Sequence, residues 1–152
     1  MDFLLAVWEY ILVFLLAAIP WIEIAAIIPL SIIAGLNPVL VGLLAFVGNL
    51  STVYLLIIFI EKYQQWRNRK KKNQKEKPKR QERAIKVWNK YGLPGLALLG
   101  PFLIGSHVSV IVGLALGAKK QTTLLWITIS LVLWSIVFTV LSYYGIEFLV
   151  GI

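Results

Sequence analysis

The sequence predicts an all-α integral membrane protein made of two inverted repeats, each a re-entrant helical hairpin broken at a proline and followed by a transmembrane helix. Three observations predict it. Of the 152 residues, 59% are hydrophobic and the mean hydropathy is +0.82, whereas ordinary soluble domains are about 45–50% apolar. Charge is segregated: 13 of the 15 Lys and Arg residues fall between Lys62 and Lys90, and the other two are the adjacent Lys119 and Lys120. The apolar stretches on either side of that basic segment carry the same punctuation, offset by 81 residues at Pro20 and Pro101 and by 82 at the turns beginning Gly35-Leu36-Asn37-Pro38 and Gly117-Ala118-Lys119-Lys120.

The elements follow in order. Residues 3–36 read as the first hairpin and 39–60 as the first span, so 1–60 form one membrane repeat; 61–90 read as a basic cytoplasmic linker. The second repeat occupies 84–152, with a hairpin over 84–118 and a span over 121–145. The arms flanking Pro20 and Pro101 are about 15–17 residues long, short of the ~20 needed to cross ~30 Å of hydrocarbon, hence the re-entrant reading. A plain bundle of four to six tilted or thin spans is the competing architecture. Basic residues favour the cytoplasmic side. Placing 62–90 there puts both termini outside and makes the repeats enter from opposite faces, a construction common in secondary transporters, with the site at the repeat interface near the midplane. The expected location is a prokaryotic cell (inner) membrane. The N-terminus MDFLLAVWEY has no basic flank and no small-residue cleavage motif follows it, so its apolar segment is expected to stay.

Between Phe3 and Ile60 the ionisable acidic and basic side chains are Glu9 and Glu23, and Glu23 is bracketed by Pro20 and Pro29, which with Pro101 are the expected helix breaks. A carboxylate at membrane depth costs at least ~2.5–3.5 kcal/mol on insertion scales, so one that is kept there lines a cavity or meets a partner. Glu23 is therefore the first candidate for binding a proton or a cationic substrate; a structural cap of the broken helix is the plainer alternative. His107, the single histidine, follows Pro101 and is its expected partner from the opposite hairpin, against the plainer role of a satisfied interior residue. Ser106, Ser109 and Asn49 complete the candidate site, although hydroxyls beside a helix break usually bond freed carbonyls and an intramembrane amide usually bonds a neighbouring helix. Gly42 and Gly48 permit close helix approach. Trp8, Tyr10, Trp21, Tyr143 and Tyr144 read as interfacial anchors, and Trp126 and Trp134 as packing residues.

Other chemistry is excluded or poorly supported. The chain has no cysteine, and one Glu with one His falls short of the four ligands of a closed zinc site, so no metal and no cofactor is expected. No nucleophile motif or phosphate-binding glycine loop is present, which argues against an enzyme. The basic segment contains two tryptophans, Trp66 and Trp88, and no nucleic-acid-binding motif; anionic membrane lipids are its expected partners, and nucleic acid is not.

The stretch IPWIEIAAIIPLSIIAGLNPVLVGLLAFVGN at 19–49 resembles the signature of the putative small multidrug export protein family through Pro20, Glu23, Pro29, Gly35, Pro38, Gly48 and Asn49. The second half, YGLPGLALLGPFLIGSHVSVIVGLALGAKKQTTLLWITISLVLW at 91–134, is similar to the same family and, distantly, to the DedA and VTT membrane proteins. The resemblance implies a transporter-like membrane protein. Where relatives tend to carry an arginine after the glutamate, this chain has Ile24, which weakens any intramembrane site for an anionic headgroup. The leading expectation is a small secondary transporter, with a proton as coupling ion and export of a small or lipophilic cation. A lipid carrier for polyprenyl phosphate or phospholipid and a membrane structural or assembly factor are the alternatives. Two spans make a thin wall around a cavity, so a homodimer is expected.

Overall fold

The computed structural model describes residues 2–20, 22–70 and 88–150. Helix α1 covers Asp2–Ala17, α2 Glu23–Ile33 and the long α3 Pro38–Lys70. After a π-helical turn over Trp88–Gly92 come α4 (Leu93–Leu103), α5 (Ser106–Ala115) and the long α6 (Lys120–Val150). The described residues contain no strand. Trp21 and the basic stretch 71–87, with Lys71 and Lys72, lie outside the described residues.

The order short, short, long occurs twice, and the turns into the long helices repeat in detail. Gly35 and Gly117 have φ of 89° and 91°, a region that L side chains enter only with strain. Around them the N–H of Leu36 donates to the Ser31 carbonyl, and that of Ala118 to the Gly113 carbonyl. This six-residue closure satisfies helix-end carbonyls that would otherwise be orphaned. In the first turn, Asn37 Oδ1 accepts the N–H groups of Val39 and Leu40 at 3.0 and 3.2 Å. Asn37 is thus the N-cap of α3, with Pro38 at the first helical position, where its missing N–H costs nothing.

Of the three prolines expected to break the short helices, Pro20 does and Pro29 and Pro101 do not. Pro20 lies in the interruption between α1 and α2, but α2 runs through Pro29 and α4 runs through Pro101 to Leu103. A proline removes one backbone bond, and in membrane helices neighbouring groups commonly re-satisfy the freed carbonyl. The second interruption falls instead at Ile104 and Gly105, where Gly105 adopts φ 94° and ψ 150°, a conformation essentially confined to glycine. The helix that carries the expected span 39–60 is longer than that span, because α3 continues through Glu61 to Lys70. Its last ten residues are rich in Glu, Lys, Gln and Arg, all strong helix formers, so leaving the apolar stretch does not end the helix.

The chain forms two compact units, Met1–Thr52 with Ile129–Ile152, and Val53–Thr128. In the first, α1 and α2 pack together, and the buried side chains include Val13, Ala17, Ile24, Ile27, Ile28, Val41, Ala45 and Leu131. Gly48 sits so close to the Phe14 carbonyl that a side chain there would collide with backbone. In the second, α4 and α5 pack together. Gly100 fits against Ser109, and a Cβ on Gly113 would lie 3.2 Å from Leu93 Cδ1, which makes the pair antiparallel.

Burial is inverted relative to a soluble protein. The stretches Pro38–Arg67 and Lys120–Ile146 have mean hydropathies of 2.3 and 2.4 in their most apolar windows, yet only 28% and 22% of those windows is buried. Leu43, Phe59, Leu125, Ile136 and Leu141 are exposed, whereas Asn49, Thr123 and Ser130 are fully buried. Apolar outside with polar inside is what hydrocarbon solvent demands and water opposes.

Candidate functional site

Glu23 is the first residue of α2 and is buried, at 8% exposure. The preceding Ile22 gives that helix end no side-chain cap. A helix N-terminus presents unbonded N–H groups and the positive end of the helix dipole, both favourable to a carboxylate. The fold thus supplies what a bare carboxylate in an apolar run lacks. Asn49 is fully buried in the same unit on α3, next in sequence to Gly48, which makes the α1 contact. Thr52 Oγ1 donates to the Asn49 carbonyl at 3.0 Å.

The second unit brings Ser106, His107 and Ser109 together at the start of α5, all buried. Ser106 Oγ lies 3.2 Å from His107 Nδ1, and the ring tautomer sets which of the two donates. Ser109 Oγ donates to the Gly105 carbonyl at 2.7 Å, the carbonyl-satisfying role rather than a free one. Gly105 sets the geometry of this cluster, because its φ and ψ turn the chain directly into Ser106. Gly105→Ala is expected to destabilise the protein by about 1–3 kcal/mol through backbone strain, read as a lowered Tm in detergent. An unchanged Tm would mean the turn relaxes into another conformation.

Both buried ionisable candidates therefore occupy the same structural position, the first turn of the second short helix in each set. Glu23 belongs to one unit and His107 to the other, and each is placed within its own. Outside these clusters, Lys120 Nζ pairs with Glu61 Oε2 across α6 and α3, a partly exposed pair of the kind that contributes little. Trp8, Tyr143 and Tyr144 are exposed, and the two tyrosine rings meet edge to face at 5.3 Å. Tyr10 Oη accepts the Asn37 N–H at 3.1 Å, tying α1 to the α2–α3 turn. Among the described residues no cluster of three His, Asp or Glu could hold a metal ion.

The hydroxyl line on α6 escaped the sequence reading. Thr123, Ser130 and Ser135 are buried on it together with Ile127 and Leu131. Their spacing marks one helical face and was the available signal.

Two long apolar helices, inverted burial and buried polar groups at helix starts define a small helical membrane protein. The chain belongs to the family described as putative small multi-drug export protein, whose sequence model matches residues 23–137. That match starts at Glu23 and includes Asn49, Ser106, His107 and Ser109. No curated protein and no solved structure matches the chain.

Proposed function

We propose that this protein is a secondary carrier that exchanges protons for a small lipophilic cation, with Glu23 as the exchanging carboxyl. The observation that carries the reading is a buried carboxyl at an apolar helix start, in a family described by export. Such a group has a function by default, since membrane burial of an ionisable side chain is costly. Ser106 and His107 supply the polar groups of the second unit, and Asn49 those of α3. The test is uptake of tetraphenylphosphonium into proteoliposomes under an imposed pH gradient. Accumulation that needs both protein and gradient supports the carrier; uptake equal to that of empty liposomes rejects it.

The same reading includes inverted topology and re-entrant short helices. At 1.5 Å per residue, the 11-residue α2 and α4 and the 10-residue α5 are about 15–17 Å long, roughly half of the hydrocarbon thickness. The repeated turn geometry at Gly35 and Gly117 supports two copies of one unit. With the basic segment cytoplasmic, the start of α3 faces outside and the start of α6 faces the cytoplasm. In this cysteine-free chain, Pro38→Cys is expected to react with an impermeant maleimide from outside only, and Gln121→Cys from the cytoplasmic side only. Labelling of both from one side excludes inversion.

A further inference from the structure

Within the first unit, the Val39–Phe46 face of α3 and the Val132–Val140 face of α6 enclose a groove of about 390 Å³. Its walls carry no charged side chain. Two polar atoms stand out there: Ser135 Oγ and Thr139 Oγ1 are buried and have no hydrogen-bond partner in the protein. Ser135 as a residue is only 6% exposed. Elsewhere the chain treats helical hydroxyls differently, for Ser51, Ser109, Thr123 and Thr128 each donate to the carbonyl four residues back, at 2.7–3.0 Å. Gly42 opens the groove beside Thr139, since a Cβ there would stand 2.5 Å from Thr139 Oγ1.

We infer that this groove holds a bilayer phospholipid, with the ester carbonyl of one acyl chain accepting hydrogen bonds from Ser135 and Thr139. Two arguments choose that occupant. The lining is apolar and uncharged, so a cation or a free phosphate would be left uncompensated there. Depth agrees as well. The 27-residue stretch Lys120–Ile146 is ~40 Å long against ~30 Å of hydrocarbon, and Thr139 stands ~10 Å from its Ile146 end. A stretch centred in the bilayer then places Thr139 ~5 Å below the hydrocarbon boundary, next to the glycerol esters, with Tyr143 and Tyr144 one turn further out as interfacial residues. Both oxygens are buried within the protein, so each donates to the carbonyl only after its side chain rotates toward the groove. This site is separate from Glu23 and stands or falls independently of the carrier reading.

The test compares retention of diester and diether phosphatidylglycerol by the full-length protein in native mass spectrometry. The two lipids share a headgroup and differ at the carbonyls. Two membrane hydrogen bonds of average strength, ~0.6 kcal/mol each, predict a preference for the diester of about seven-fold. The near-isosteric pair Ser135→Ala with Thr139→Val is expected to abolish the preference without lowering Tm, while Glu23→Gln leaves it intact. Equal retention of both lipids, or retention of neither, overturns the proposal. So does efficient disulfide formation between chains carrying Ile136→Cys in bilayers, which would make a second copy the occupant.

Discussion

Glu23→Gln is expected to abolish gradient-driven uptake of tetraphenylphosphonium and to weaken its binding by about a hundredfold, corresponding to the ~3 kcal/mol of an ion attraction at about 6 Å and an effective dielectric constant of ~20. The substitution is close to isosteric and keeps hydrogen-bonding capacity at the first turn of α2, so the helix start should survive it. Glu23→Asp keeps the charge but withdraws it by one methylene, and is expected to retain binding with reduced uptake. Equal activity of wild type and Glu23→Gln, at equal Tm, would reduce Glu23 to a structural cap.

The second large effect concerns the fold. Gly48→Ala forces a Cβ into the Phe14 carbonyl, and because the obstacle is backbone, no side-chain rotation relieves it. Overpacking of this kind costs about 1–3 kcal/mol, occasionally more. A Tm lower by several degrees in detergent is the expected result. Gly145→Ala is the matched control: it lies in α6 and its Cβ would meet nothing within 4 Å. Replacing a helix-interior glycine there should stabilise by about 0.5–1 kcal/mol. If both alanine variants melt like wild type, the close approach of α1 to α3 is not as described.

What could be read from the sequence was the part that depends on local backbone chemistry. The turns at Gly35 and Gly117 were legible because helix ends of this kind select glycine, here followed two residues on by Asn37 and Lys119. Prolines misled at Pro29 and Pro101 because a single missing N–H does not end a helix when the surroundings satisfy the freed carbonyl. The second interruption was set by Gly105, whose unusual conformation carries no distinctive neighbour pattern. The end of α3 was missed because amphiphilic charged residues signal departure from the bilayer and say nothing against helix. In the candidate site, Glu23 and His107 were conspicuous as lone ionisable groups in apolar runs. Ser135 and Thr139 were not, since a hydroxyl in a span normally bonds its own helix and only the folded chain reveals that these two are buried without such a bond.

In a proton-exchanging carrier, proton and cation compete for the same carboxyl. The most direct measurement of that competition is proton release from purified protein, in weakly buffered detergent solution, on titration with tetraphenylphosphonium. Up to one proton is expected to be released per cation bound, and none from Glu23→Gln. Cation binding with no proton release at any pH, or the same release from Glu23→Gln as from wild type, would contradict the competition.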